Sequence, residues 1–218
     1  MKARALFLLA LLTLGLGTGT GCQTVYNTTL EKVFGYEKRE LLKKSVVALQ
    51  NEQQDAQKEF KDAMTRLKEL YGFQGGQLES TYNKLKGSYD NCDSETKAVQ
   101  SRIENMEGIA AAMFAEWEKE LAQYTNPSLA ATSRQQLRET KDRYAQLSRT
   151  VRASADAMKP VLAQLKDNVL FLKHNLNAAA ICSLKGEAAN IQRQIEDLLS
   201  RMSASIAESD AFIKSLAK

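Results

Sequence analysis

Apolar residues recur at steps of three and four through most of the chain, and this stripe constrains the fold more than any other feature. In the second of four segments it runs Leu78, Tyr82, Leu85, Tyr89, Cys92, Thr96, Val99, Ile103, Met106, Ala110, Met113, Trp117, Leu121 and Tyr124. Such spacing puts every member on one side of an α-helix, whereas a strand would need alternation by two. A helix that long cannot bury its own stripe, so it needs helical neighbours with matching stripes.

Three further stripes supply them. The first segment carries Leu42, Val46, Leu49, Gln53, Ala56, Phe60, Ala63, Leu67 and Leu70. The third carries Val151, Ala155, Met158, Leu162, Leu165, Val169, Leu172, Leu176 and Ala179. The fourth carries Leu184, Ala188, Ile191, Ile195, Leu198 and Met202, weakens at Ser205 and Ser209, and resumes at Phe212 and Leu216. A repeat of two apolar residues in seven predicts left-handed supercoiling between neighbours.

The breaks between segments are short. Gly72-Phe73-Gln74-Gly75-Gly76 reads as a turn, and Thr125-Asn126-Pro127-Ser128 as a turn and helix start with Asn126 or Ser128 as cap. Asn175-Leu176-Asn177 is a weaker break. Pro160, one of only two prolines, falls inside the third helix and predicts a local kink. Short turns make sequential helices antiparallel. The expected fold is therefore all-α, an elongated antiparallel bundle of four long coiled-coil-like helices. The second and third helices are the longest, so their shared tip, Met113 to Leu137, should project roughly 15 Å beyond the body at 1.5 Å per residue. Folding the second and third helices back on each other keeps Cys92 and Cys182 roughly 15 to 30 Å apart, beyond disulfide reach. Cys92 reads as a small buried hydrophobe.

The N-terminus sets an address. Lys2 and Arg4 precede an apolar run from Leu6 to Leu16, of secretory rather than membrane-spanning length, and small residues lead to Cys22. This predicts a signal peptide over 1–21, an acylated Cys22 at the head of a lipid-anchored segment over 22–36, and a bundle domain over 37–218. Gly19 departs from the aliphatic residue that usually opens a lipobox. The alternative, ordinary cleavage leaving Cys22 a free thiol, lacks an A-x-A-like site. Gln23 favours the outer membrane over inner-membrane retention, on the periplasmic face. The first helix starts at the hairpin end of the bundle. Residues 23–36 would then run beside the tip, offering Tyr26, Leu30, Val33, Phe34 and Tyr36 as contacts.

Charge and motifs exclude several functions. The net charge of +4 falls to about +2 once Lys2 and Arg4 are removed, so nothing argues for nucleic acid. The glycine run lacks the lysine of a phosphate loop. His174 is the only histidine and has only amides nearby, which suits shaping of the helix break better than catalysis or metal binding. No serine sits in a nucleophile elbow. No cofactor and no enzymatic activity are expected.

What remains is surface. Phe114, Trp117 and Tyr124 fall on the hairpin tip, where they would pack on residues 23–36 or meet a membrane interface. Arg134 and Arg138 open a basic run, continued by Lys141, Arg143, Arg149 and Arg152, which is either a solvated face or a surface for anionic lipid or lipopolysaccharide. Stripe residues left exposed would permit a homo-oligomer.

Four stretches carry a resemblance: Phe114-Ala-Glu-Trp-Glu-Lys-Glu-Leu, Leu137-Arg-Glu-Thr-Lys-Asp-Arg-Tyr, Val169-Leu-Phe-Leu-Lys-His-Asn-Leu-Asn-Ala and Ala207-Glu-Ser-Asp-Ala-Phe-Ile. With the Gly-Cys-Gln junction and the Phe-Gln-Gly-Gly turn, the chain resembles a family of Gram-negative proteins known only as a domain of unknown function. The resemblance implies architecture and address and brings no active-site residue. Some members are labelled DNA-repair ATPases; the missing phosphate loop and the export signal speak against that here. The expected role is a non-enzymatic, membrane-anchored scaffold, adaptor or tether with an envelope protein partner. The alternative is a lipid- or envelope-polymer-binding protein using the basic third helix.

Overall fold

Among the described residues, long amphipathic stripes with no strand-forming run fold into four helices, which we label α1 (Lys38–Tyr71), α2 (Leu78–Leu121), α3 (Pro127–His174) and α4 (Ala178–Leu216). The structure is a computed structural model and describes residues 38–72 and 78–216. The expected leader, Cys22, the segment 22–36 and the glycine turn at 73–76 lie outside the described residues. Each helix packs on its sequence neighbour, and α1 closes the ring against α4.

The α1 stripe is buried at all nine expected positions, from Leu42 to Leu70. Of the α2 stripe, Leu85, Cys92, Thr96, Val99, Ile103, Met106, Ala110 and Met113 are buried, while Leu78, Tyr82, Tyr89, Trp117 and Leu121 are half-buried. The α3 stripe departs from expectation at its end. Leu176 and Ala179 are exposed, because the backbone leaves the helix at Asn175 (φ −134°, ψ 59°). Val161 rather than Leu162 takes the fully buried place beside Pro160, through which α3 continues. In α4 the stripe does not weaken at Ser205 and Ser209; both are fully buried.

Local chemistry sets the helix ends. Asn126 Oδ1 accepts from the backbone N–H groups of Ser128 (2.9 Å) and Leu129 (3.3 Å), and Pro127 at the first helical position has no N–H to lose. At the other turn Asn175 Nδ2 donates to the Phe171 carbonyl at 2.9 Å, and Asn177 Oδ1 accepts from the Ala180 N–H at 2.9 Å. The two asparagines thus satisfy orphan backbone groups on either side of the break. His174 ends the last turn of α3 in an exposed position.

Polar contacts fix the register between helices. Three glutamines of α1 reach α4: Gln50 Nε2 donates to Asp210 (2.7 Å), Gln53 Nε2 to Ser205 Oγ (2.8 Å) and Gln57 Nε2 to Ser203 Oγ (2.8 Å). Arg102 meets Glu52 at 3.0 Å between α2 and α1, and Arg152 meets Glu107 between α3 and α2. Far from the hairpin, the Tyr71 hydroxyl donates to Asn168 Oδ1 at 3.0 Å inside the bundle. Cys92 and Cys182 are free thiols, the first buried and the second exposed. Among the described residues no helix is long and apolar enough to cross a membrane.

Candidate interaction surface

Where the body ends, the hairpin begins. Lys38, at the start of α1, meets Glu116 at 3.0 Å, and the Arg39 guanidinium lies 5.4 Å over the Trp117 ring. The last turn of α4 reaches the same level, with Lys214, Ser215 and Leu216 beside Trp117 and Arg143. Among the described residues only α2 and α3 continue beyond it. Past Trp117, α2 keeps four residues, to Leu121, about 6 Å at the α-helical rise, so the hairpin extends less far than the roughly 15 Å expected, because Met113 and Phe114 are buried in the body.

The hairpin is held at its base and bare at its end. Trp117 Nε1 donates to Ser133 Oγ at 2.9 Å, and Lys141 Nζ pairs with Glu118 at 2.5 Å. Past these contacts Tyr124 is 44% exposed and Leu129 is 56% exposed, the largest exposure of any large apolar side chain described. With no third helix alongside, the end of a two-helix hairpin cannot bury both faces of its stripe.

The sequence candidates therefore separate. Phe114 is closed into the body: its ring meets Tyr144 edge-on at 5.5 Å, and Tyr144 meets Phe212 at 6.0 Å. Burial raises the Tyr144 phenol well above its ordinary pKa, with the Glu107 carboxylate adding to the effect. Trp117 is half-buried at the hairpin base, and Tyr124 is on the open end. Arg134 and Arg138 are exposed and carry no ion pair among the described residues. The rest of the basic run is partly spent, since Lys141 and Arg152 are paired with Glu118 and Glu107, and Arg149 donates to Gln146 at 2.9 Å.

Two features were not among the sequence candidates. One is Leu129, which no stripe includes. The other is an apolar patch at the opposite end of the bundle, where Leu170 (47%), Phe171 (39%) and Leu176 (42%) are exposed around the α3–α4 turn. From Asn168 to Gly186 that end carries Lys173 and Lys185 and no acidic residue. Among the described residues no group of His, Cys, Asp and Glu is placed to hold a metal ion.

The fold and its surface define an all-α antiparallel bundle protein with an exposed helical hairpin. The chain belongs to the family described as Protein of unknown function (DUF2959), whose model matches residues 26–216 and so takes in all four helices. No curated protein and no solved structure matches the chain.

Proposed function

We propose that the protein is a non-enzymatic helical interaction protein of the cell envelope, held to the periplasmic face of the outer membrane by acylated Cys22 and meeting a protein partner through the α2–α3 hairpin. The observation that carries this reading is the bare hairpin end with Tyr124 and Leu129 exposed. Two large apolar side chains exposed together at the end of a hairpin suit burial against another surface. The address rests on the basic start, the apolar run and the Cys22 junction. A rod with exposed apolar groups at both ends suits a scaffold or tether.

A pull-down from detergent-solubilised envelopes, read by mass spectrometry, tests both halves. The expected result is an acyl-modified Cys22 peptide and one protein enriched with the native chain but lost from a Tyr124→Ser, Leu129→Ser variant. An unmodified Cys22 removes the anchor. Equal recovery with native and variant chains removes the hairpin as the contact.

A second reading, binding of lipid or an envelope polymer through α3, is favoured by the unpaired Arg134 and Arg138. It predicts that the non-acylated chain floats with anionic vesicles at low salt and that Arg134→Gln with Arg138→Gln abolishes flotation. Sedimentation free of vesicles at low salt contradicts it.

A further inference from the structure

At the base of the hairpin, all four helices frame a recess of about 470 Å³. α1 contributes Arg39, α2 Trp117, α3 Arg143 and α4 Lys214. Three cations thus converge on one half-enclosed space. The carboxylate there is Glu139, which is engaged by Gln135 Nε2 at 3.0 Å. Arg143 and Lys214 have no ion pair among the described residues. Elsewhere in the bundle Lys58, Lys86, Lys97, Lys159 and Arg201 close on carboxylates three or four positions away. Arg143 has Glu139 four residues before it, and Lys214 has Asp210, yet neither pair forms; Asp210 instead accepts from Gln50. The cations are left facing the recess, and Arg39 is held beside it by the Trp117 ring.

We propose that this recess binds a phosphate-bearing anion, with Arg143 and Lys214 as its charged ligands and Arg39 closing the site from α1. A carboxylate would be neutralised by a single cation. Three cations against one engaged carboxylate call for more charge and more acceptor oxygens, which a tetrahedral phosphate supplies to guanidinium forks and an ammonium. The volume is within the range of small-ligand pockets. A phospholipid headgroup and free phosphate share this chemistry. The choice of the lipid source rests on the lipid-binding reading above, and the site itself does not.

Trp117 is the only tryptophan, so its emission reports on the recess alone. The full chain with Cys22→Ser is titrated with inorganic phosphate and, separately, with dihexanoyl phosphatidylglycerol below its micelle concentration. The expected result is a saturable change in Trp117 emission with at least one titrant. Its midpoint should weaken tenfold or more in Arg143→Gln, Lys214→Gln and stay unchanged in Arg134→Gln, Arg138→Gln. Arg143 and Lys214 are exposed, so the variant keeps its fold, checked by helical circular dichroism. A response to the lipid alone identifies a headgroup. A response to phosphate keeps the site, and silence with the lipid in the same protein removes the headgroup as its source. No saturable response to either titrant, or equal midpoints in native and Arg143→Gln, Lys214→Gln chains, overturns the proposal; vesicle flotation through Arg134 and Arg138 would stand or fall separately.

Discussion

Gln53 of α1 and Ser205 of α4 meet inside the bundle, both fully buried, with Gln53 Nε2 donating to Ser205 Oγ at 2.8 Å. The bond is incomplete as a polar arrangement, since Gln53 Oε1 is buried with no partner. A polar layer of this kind lowers stability and penalises other registers, because any slip leaves more of the amide unpaired. Ser205→Ala alone should therefore cost about 1–3 kcal/mol, the penalty for an orphaned buried donor. Gln53→Met combined with Ser205→Ala removes both partners and should raise Tm above the native value. Thermal unfolding of the two variants checks the pair; a double variant less stable than Ser205→Ala would contradict it.

The cap at Asn126 acts where tertiary support is least. Asn126→Ala should cost about 1 kcal/mol and act locally. Amide exchange over the first turn of α3, residues 128–132, should quicken about fivefold for that free energy, with exchange in the body unchanged. Uniform exchange across α3 would contradict the local role of the cap.

Glu95 gives a pH signature. Its Oε2 is buried without a partner, and its carboxyl is held above the ordinary carboxylate pKa by burial first and then by Glu52 and Asp55. An acid whose pKa is raised on folding stabilises the fold while protonated, and that contribution is lost as pH rises through the folded value. Glu95→Gln should therefore raise Tm at pH 7, by an amount on the order of 0.5 kcal/mol for a relieved partly solvated like-charge contact. The gain should vanish below about pH 4, where Glu95 is protonated in both states. Tm against pH for the two proteins checks the sign.

The thiols should differ sharply. Burial pushes the Cys92 thiol far up, and the carboxylates of Glu59, Asp62 and Glu95 add to it, whereas Cys182 is exposed. In the Cys22→Ser chain, maleimide at neutral pH should label Cys182 rapidly and Cys92 only after denaturation. Early labelling of Cys92 would mean the core opens.

These contacts also explain what could and could not be read from the chain. The α1 stripe was legible throughout because its positions are apolar apart from Gln53, and burial follows spacing. Ser205 and Ser209 looked like a fading stripe because hydroxyls score as polar; yet Ser209 Oγ donates to the Ser205 carbonyl at 3.0 Å, so its hydroxyl costs little when buried. Phe114 looked like a tip residue because its neighbour Met113 held the stripe position. Tyr144 and Phe212, distant in sequence, create its place. The α3 stripe overran its helix because Leu176 and Ala179 keep the spacing across a break made by Asn175 and Asn177. The recess had no local signal at all. Arg39, Trp117, Arg143 and Lys214 come together only through the register of four helices.

The hairpin end is the proposed place where this bundle meets a partner. Photo-cross-linking in cells tests it most directly, with the reactive residue placed at Glu118 or Gln123 on the hairpin, or at Lys58 on the body as a control. The expected result is a discrete adduct from the two hairpin positions and none from Lys58. No adduct at either hairpin position in cells where the protein is present and active, or an adduct from Lys58 alone, would contradict it.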